Sequence, residues 1–144
     1  MKKDNIIEEI EERDLEQLQK LLKNVFNNGI SYERMKNLYK ISKDNKDIYI
    51  LGYYINDNLV GTLTLNILTL PSGKEATIWD LAIKEEYRRL GIATKLMNKA
   101  EELARGENIT RIWLFSGFHR EGAHELYRKL VYDEKRDKAF VKQI

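Results

Sequence analysis

The stretch EEYRRLGIATKLM, Glu85–Met97, is charged at its start and takes on the apolar spacing of a helix after Gly91. The first backbone N–H groups of a helix have no partner inside it and, together with the helix dipole, they attract phosphate. Gly91 and Ala93 are small, so a ligand can approach this backbone closely, and Arg88 and Arg89 can add charge-assisted hydrogen bonds. Taken alone, the stretch indicates either an anion site at a strand-to-helix turn or an ordinary turn beside a solvated basic face.

The composition excludes several classes of protein. The 144 residues are 42% hydrophobic and 33% charged, which predicts one folded domain over residues 1–144. A net charge of +2 gives no basic footprint for a nucleic-acid partner. The chain has no cysteine and two histidines, which excludes disulfides and thiolate chemistry and predicts that no metal is bound. No segment reaches the roughly 20 apolar residues of a membrane span or resembles a signal peptide, so we expect a cytoplasmic protein without a membrane partner.

Hydrophobic periodicity and turn residues predict an α/β protein with a mixed sheet. Turns at Asn56–Asn58 and Leu70–Gly73 separate three strands that should form an antiparallel meander. Asp14 is the expected N-cap of the first helix, and Asn27–Gly29 is expected to end that helix. In chain order the predicted elements are an edge strand in Asn5–Ile10, a helix from Asp14, a helix after Ser31, strands at Asp47–Ile55, Leu59–Leu68 and Glu75–Ile83, a helix at Ile92–Arg105, a strand at Ile109–Phe115, a helix at Arg120–Leu130 and a strand within Lys138–Gln143.

Two motifs, in this order and at this separation, resemble those of the GNAT superfamily of N-acetyltransferases. That family carries a pyrophosphate loop of the form Q/R-x-x-G-x-G/A between its fourth strand and third helix, and RRLGIA at Arg88–Ala93 matches it. Its later signature, N/R-x-x-A-x-x-L/F-Y, is matched by REGAHELY at Arg120–Tyr127. The resemblance spans nearly the whole chain. It implies the GNAT fold, of the α/β (α+β) class, in which a mixed and mostly antiparallel central sheet is flanked by about four helices.

The resemblance also implies that acetyl-CoA is the cosubstrate. In similar proteins the pyrophosphate lies against the backbone amides of this loop, and the pantetheine arm pairs with the edge of the fourth strand. A subset of relatives has a cofactor-binding arginine at the place of Arg120, whose alternative role is that of a surface residue. The implied cofactor-binding residues are Leu81, Ala82, Ile83, Arg88, Arg89, Leu90, Gly91, Ile92, Ala93, Thr94 and Arg120.

Two residues are candidates for proton transfer during catalysis. In related enzymes a tyrosine at the place of Tyr127 gives a proton to the departing coenzyme A thiolate, and a phenol, which is neutral at pH 7, suits this task. The alternative is a packed core tyrosine. Asp80, on the strand before the loop, is the most suggestive base for the incoming ammonium, directly or through a water, and otherwise orients the substrate. His124 follows Ala123 on the helix and is interpreted as structural.

The function implied by the resemblance is direct transfer of an acetyl group from acetyl-CoA to a primary amine. A non-catalytic acyl-CoA-binding or regulatory module of the same fold is the alternative. The amine, on a small molecule or on a protein or peptide, is not readable, since specificity in this fold is set by the first two helices (here residues 24–41), the Leu68–Lys74 turn and the chain end. Phe26, Tyr32 and Tyr39 are either pocket or core residues. Relatives are often dimers, so a homodimer is compatible with the sequence.

One departure from the family pattern concerns the end of the last helix. Relatives usually have Leu-Gly-Phe or Leu-Gly-Tyr there, whereas this chain has Leu130-Val131-Tyr132. A β-branched valine disfavours the left-handed conformation that commonly caps a helix. We therefore expect this helix to end in a different way.

Overall fold

The computed structural model describes residues 2–144, and its strands and helices follow the order expected from the sequence up to the last helix. The chain divides into two compact units, Met1–Trp113 (the first unit) and Leu114–Ile144 (the second unit). Over the described residues, no helix has the length and apolar character needed to cross a bilayer. In chain order the elements are β1 (Ile6–Glu9), a 3-10 turn (Glu12–Asp14), α1 (Leu15–Phe26), α2 (Tyr32–Lys43), β2 (Ile48–Ile55), β3 (Asn58–Leu70), β4 (Gly73–Ile83), a 3-10 turn (Glu85–Tyr87), α3 (Ile92–Gly106), β5 (Ile112–Leu114) and α4 (Glu121–Lys129).

The sheet has the strand order β1-β2-β3-β4-β5, so each strand lies beside its neighbour in the chain. The pairs β1–β2, β2–β3 and β3–β4 are antiparallel, which confirms the predicted meander. Asn56 and Asp57 link β2 to β3 with positive φ angles of 50° and 65°, as a two-residue type I′ hairpin requires. Pro71 and Ser72 form the equally short link between β3 and β4.

Helices α1 and α2 pack on one face of the sheet and α3 packs on the other. On the α3 face, Lys95 lies over the ring of Tyr53, with its Nζ 5.7 Å from the ring centre. A Cβ on Gly61 would come within 2.8 Å of Ile83 and 3.2 Å of Ile92, so a glycine is needed for β3 to pass this close to α3. This packing fixes the start of α3 beside the end of β4. The core on the α1 and α2 face consists of Ile10, Leu15, Leu18, Leu21, Leu22, Met35, Tyr39, Tyr54, Leu59 and Ala82.

The start of α1 differs from the prediction. Asp14 stands at the N-cap position, but among the residues that the structure describes it makes no capping hydrogen bond to α1. Its carboxylate instead accepts hydrogen bonds from the Glu11 N–H at 3.1 Å and from the Tyr54 hydroxyl at 2.8 Å. Asp14 therefore ties the preceding 3-10 turn to β2. The predicted end of α1 is confirmed, since Asn27 follows its last residue in a left-handed conformation with φ of 50°.

The predicted last strand is wrong. Within the described part of the chain no strand follows α4, although Lys138–Gln143 has strand-forming side chains. Phe140 and Val141 are exposed there. Aromatic and β-branched residues favour a strand only where a pairing strand and a buried face are available. Local composition therefore predicted a strand that the fold does not form. The strand predicted at Ile109–Phe115 is likewise shorter, with 3 residues in β5.

The end of α4 also contradicts the prediction. Val131 adopts a left-handed conformation with φ of 68°. The Tyr132 N–H donates to the Tyr127 carbonyl at 2.9 Å, and the Val131 N–H donates to the Arg128 carbonyl at 3.0 Å. These two bonds form a Schellman motif, which satisfies the last carbonyls of the helix. The backbone hydrogen bonds thus impose on a valine the conformation that a glycine would adopt.

Candidate active site

A β-bulge interrupts β4 at Asp80. Thr64 of β3 pairs with Trp79 and Thr62 pairs with Ala82, so β4 contains one extra residue between these two pairs. Asp80 takes up the extra length with φ of 55°, in the left-handed region that aspartate tolerates better than most residues. As a result Trp79 and Asp80, adjacent in sequence, are both exposed, whereas a regular strand would direct them to opposite faces. The bulge therefore directs the Asp80 carboxylate out of the sheet.

Within the described part of the first unit, the Asp80 carboxylate has no countercharge. Among the described residues of the first unit it forms neither a salt bridge nor a hydrogen bond. Although Asp80 as a residue is exposed, neighbouring protein displaces water from its carboxylate, and this desolvation raises the pKa of Asp80 above its ordinary value. A carboxylate with a raised pKa holds a proton more readily and is a better base than a freely solvated aspartate.

The last residues of β4 present backbone groups on the edge away from β3. The Lys84 N–H donates to the Val60 carbonyl of β3 at 2.8 Å. Because successive residues of a strand direct their N–H and C=O groups to opposite sides, the backbone groups of Ile83 face the other edge. In agreement, the Nε of Arg88 donates to the Ile83 carbonyl at 3.2 Å. The Ile83 N–H points to this same edge.

The start of β4 is held by an ion pair that the sequence did not indicate. Glu75 accepts hydrogen bonds from the Nη2 and Nε of Arg111 at 2.5 and 3.2 Å, and from the indole N–H of Trp113 at 3.2 Å. The Ala76 N–H donates to the Arg111 carbonyl at 3.3 Å. Glu75 and Arg111 are 36 positions apart, so no local sequence pattern relates them. These hydrogen bonds lie at the end of β4 away from the bulge.

The turn into α3 contains two left-handed residues, Arg89 with φ of 62° and Gly91 with φ of 81°. Gly91 is the N-cap, and within residues 2–144 no side chain makes a capping hydrogen bond there. The first turn of α3 has no acidic residue, whereas α1 and α2 carry Glu16 and Glu33 in theirs. A helix start with free N–H groups and no acidic side chain is suited to bind an anion.

The backbone at Gly91 has open space beside it. A Cβ placed on Gly91 would meet no atom within 4 Å, so the backbone is open to an approaching ligand. The Arg88 side chain is bonded to the Ile83 carbonyl and so holds the turn to β4. These residues suit the pyrophosphate of acetyl-CoA, which the sequence led us to expect here.

The second unit contains Tyr127 on α4 and Arg120 at its N-cap. Burial raises the pKa of the Tyr127 phenol above its ordinary value, and the positive charge of Arg120 lowers it in part. The phenol is therefore protonated at neutral pH, as a proton donor must be. The rings of Tyr127 and Tyr132 meet edge to face with their centres 6.2 Å apart. The His124 Nε2 lies 2.9 Å from the Gly117 carbonyl, a contact that ties the helix to the turn before it.

A pocket lies between α1, α2 and the sheet, in the region of the first two helices to which the sequence assigned acceptor specificity, although the sequence did not indicate that Asp80 lines it. Its volume is about 190 Å³, and Asp80 forms part of its wall. The other walls are mainly apolar and include Leu18, Met35, Leu38 and Tyr39. The lining comes from five separate elements of the fold, so no single stretch of sequence could have indicated it.

The aromatic residues proposed for the acceptor pocket divide between pocket and core. Tyr39 lines the pocket and is also part of the buried core. Phe26 and Tyr32 pack against that core as partly buried side chains. Helical spacing alone could not distinguish these two positions.

Comparison with known proteins gives a family match over most of the chain. A model of the Acetyltransferase (GNAT) family matches residues 14–131. An uncharacterized N-acetyltransferase of Methanocaldococcus jannaschii is 39% identical over 62 residues, which cover 42% of this chain and 26% of that protein. The matched region thus spans about a quarter of the length of that relative.

Solved structures share the fold at low sequence identity. A protein of Agrobacterium tumefaciens strain C58, described provisionally as an acetyltransferase, has a TM-score of 0.86 at 19% identity, with 96% of this chain and 99% of that chain covered. An acetyltransferase of Trypanosoma brucei has a TM-score of 0.79 at 19% identity, with coverage of 96% and 99%. An aminoglycoside acetyltransferase from an uncultured soil sample, in complex with sisomicin, has a TM-score of 0.82 at 23% identity, with coverage of 96% and 95%. At these identities the likeness concerns the fold alone.

Proposed function

The chain belongs to the acetyltransferase (GNAT) family, and we propose that it transfers an acetyl group from acetyl-CoA directly to a primary amine. This proposal rests on the structure at the start of α3. There an uncapped helix N-terminus, with open space at Gly91, follows a strand whose Ile83 backbone groups face outward. Such a site offers amides for a pyrophosphate beside a strand edge for the rest of the cosubstrate.

The turn into α3 and the end of β4 bind different parts of acetyl-CoA. The amides of residues 89–94 hold the phosphates, with the Thr94 hydroxyl as a further donor. The edge of Leu81–Ile83 pairs with the pantetheine arm through backbone groups. Arg88 holds the turn against the end of β4 through its hydrogen bond to the Ile83 carbonyl. Arg120 adds a positive charge for the cofactor.

Three groups of the chain take part in the reaction of the amine with the thioester of acetyl-CoA. Asp80 accepts the proton that the ammonium must lose before its nitrogen attacks the thioester carbon. The Ile83 N–H donates to the oxygen that becomes negative as the C–N bond forms. Tyr127 gives its phenolic proton to the sulfur as the C–S bond breaks, so coenzyme A leaves as a thiol. The nitrogen loses its second proton to water as the C–S bond breaks, Asp80 passes its proton to water, and the Tyr127 phenolate takes one proton back, so each ammonium acetylated releases one net proton.

Both units are proposed to belong to one acetyltransferase domain, because the family match over residues 14–131 crosses the boundary between them. A cytoplasmic location and a homodimer stay predictions. So does the class of acceptor, a small molecule or a protein or peptide amine.

Calorimetry with acetyl-CoA, combined with mass spectrometry of an amine panel, tests the function. We expect binding and the appearance of an acetylated amine, with coenzyme A as the second product. Binding without transfer to any amine would favour the non-catalytic module. A chain that binds neither acetyl-CoA nor coenzyme A would contradict both alternatives.

The acid role of Tyr127 predicts the effect of Tyr127→Phe. Loss of the phenolic proton should lower kcat roughly tenfold to a hundredfold, with little change in acetyl-CoA affinity. Tyr132→Phe, which alters the neighbouring ring in the same way, is the matched control and should keep kcat. Equal turnover by Tyr127→Phe and the unchanged protein at every pH would rule out the acid role.

A further inference from the structure

The pocket beside Asp80 limits the chemistry of the amine that it can hold. Several polar side chains of its lining already donate to backbone carbonyls, so their donors are not available to a ligand. These are the hydroxyls of Tyr39, Ser42 and Thr62, which donate to the carbonyls of Ile10 at 2.8 Å, Leu38 at 2.9 Å and Leu51 at 2.8 Å.

Within the described part of the first unit, the Asp80 carboxylate and the Thr64 hydroxyl are the lining side-chain groups with no hydrogen bond of their own. The three bonded hydroxyls can still accept a hydrogen bond from an ammonium, but they carry no charge. The pocket therefore offers a single negative charge, while its other walls are mainly apolar. A ligand that places a second ammonium group inside the pocket leaves that charge without a counter-ion, which costs several kcal/mol.

The size of the pocket sets the size of the apolar group. Its volume is about 190 Å³, and an apolar cavity of roughly 150 Å³ in another protein accommodates benzene. A phenyl ring or a branched chain of four or five carbons is therefore the group that fills it. Leu38 at the rim is 45% exposed, so the pocket has an opening to solvent.

We propose that the acceptor is a small primary amine with one ammonium group and one branched aliphatic or phenyl group. The ammonium binds at Asp80, and the apolar group fills the pocket between α1 and α2. This inference rests on the proposed acetyl transfer, because Asp80 directly precedes the Leu81–Ile83 edge assigned to the pantetheine arm. The terminal residue of a peptide that begins with leucine presents the same chemistry from another source.

A panel of amines tests the selectivity. The panel contains isoamylamine, phenethylamine, ethylamine, spermidine and sisomicin, each assayed with acetyl-CoA for kcat/KM. Isoamylamine has three more carbons than ethylamine, and burying them should raise kcat/KM roughly fifty-fold. Leucinamide and a tetrapeptide beginning with leucine separate a free amine from a polypeptide terminus, and a preference for either over ethylamine supports the apolar ammonium class.

Two variants on α2 test the place of binding. Leu38→Ser removes an apolar side chain from the rim of the pocket and should lower kcat/KM for isoamylamine about fivefold, with ethylamine little affected. Ile41, on the same helix, is 70% exposed and does not line the pocket, so Ile41→Ser is the matched control and should change neither value. An equal loss in both variants would overturn the assignment of the pocket.

Ligand-observed NMR of isoamylamine with the protein, with and without acetyl-CoA, tests amine binding in the pocket separately from acetyl transfer. Binding that is weakened by Leu38→Ser and not by Ile41→Ser supports the pocket even if no amine is acetylated, and that result would overturn the proposed function alone. Faster acetylation of spermidine or sisomicin than of isoamylamine would overturn the inference and leave acetyl transfer in place. Absence of both binding and turnover of isoamylamine would also overturn it.

Discussion

Asp80 has two properties that depend on different parts of its structure. Its left-handed backbone, with φ of 55°, belongs to the bulge, and its carboxylate supplies the charge of the pocket. Asparagine tolerates the same backbone conformation, so Asp80→Asn removes the charge without disturbing the strand. This substitution therefore separates the structural role from the chemical one.

The raised pKa of Asp80 predicts how Asp80→Asn changes stability with pH. In the folded protein the pKa lies above its ordinary value of 3.8 because of desolvation, so the wild-type protein loses stability as pH rises from that value through the raised pKa. Asp80→Asn should therefore have a higher Tm than the wild type at pH 7, and the difference should vanish below pH 3.8. Thermal unfolding followed by circular dichroism across this range measures the effect.

The same variant should lose at least about tenfold in kcat/KM at pH 7, because no base remains for the ammonium. Asp57 also has a left-handed backbone, with φ of 65°, and lies in the β2–β3 turn. Asp57→Asn is therefore a matched control that should keep its activity. An Asp80→Asn variant with normal kcat/KM would contradict the proposed base.

Val131 predicts a stabilising substitution. A left-handed conformation costs a residue with a side chain about 1–2 kcal/mol, whereas glycine loses roughly 0.5–1 kcal/mol more backbone entropy on folding. Since Val131 is 87% exposed, Val131→Gly sacrifices little packing and should stabilise by about 0.5–1 kcal/mol, measured by urea denaturation. Val141 is 91% exposed and has no positive φ, so Val141→Gly should bring no gain. A lower stability of Val131→Gly would show that its side chain has a role.

Sequence reasoning at single residues did not predict the backbone conformation of Asp80 or Val131. Asp80 was selected for its carboxylate, but the bulge that directs it was not visible, because Trp79 and Asp80 read as part of a regular strand. For Val131 the intrinsic preference of valine predicted a different helix end. The carbonyls of α4 needed partners, and this requirement outweighed the preference.

At the scale of elements, the start of α3 has the most specific requirement. Gly91 has φ of 81° and open space around its Cα, so Gly91→Ala introduces backbone strain without a clash. We expect a loss of about 1–2 kcal/mol in stability and a more than tenfold loss in acetyl-CoA affinity by calorimetry, because the strain displaces the amides.

Gly106, at the other end of α3, provides the control for this prediction. It has no positive φ, and a Cβ there would also meet no atom within 4 Å. Gly106→Ala should therefore be neutral or slightly stabilising and should keep the affinity. Equal affinities of the two variants would argue against phosphate binding at the start of α3.

Elements with strong turn signals were predicted well. Asn56 and Asp57 defined the β2–β3 hairpin, and Ser31, whose Oγ accepts a hydrogen bond from the Arg34 N–H at 3.2 Å, defined the start of α2. Elements that depend on distant partners were predicted poorly. The segment Lys138–Gln143 has the composition of a strand, but among residues 2–144 no strand pairs with it. Local composition does not show whether a pairing strand is available.

At the scale of the whole molecule, ligand binding should appear as thermal stabilisation. A ligand at a hundred times its Kd adds about 2.7 kcal/mol to the free energy of unfolding. For a chain of 144 residues this corresponds to a rise of roughly 5–10 °C in Tm. Scanning calorimetry with acetyl-CoA, and with adenosine as a control that lacks the pyrophosphate, measures the shift. No rise with acetyl-CoA, or the same rise with adenosine, would contradict the site at the start of α3.

The family and fold were predictable because two motifs in the right order mark them, Arg88–Ala93 and Arg120–Tyr127. The pocket was predicted only in part, since specificity was expected from residues 24–41, whereas the wall also includes Leu18 and Asp80 from outside that range. A cavity depends on the volume left between packed side chains, which periodicity does not report. Recognition of the reaction class therefore preceded any knowledge of the acceptor.

The strand order β1-β2-β3-β4-β5 has a consequence for folding kinetics. Each strand pairs with the strand that precedes it in the chain, and two of the four links are hairpins of two residues, so the β2–β3 and β3–β4 pairings need no long loop to close. Low contact order of this kind is associated with fast folding. Once Ile83 has left the ribosome, β1 to β4 are all present and can pair in the order in which they were made. We therefore expect the nascent chain to form its meander before α3 is complete.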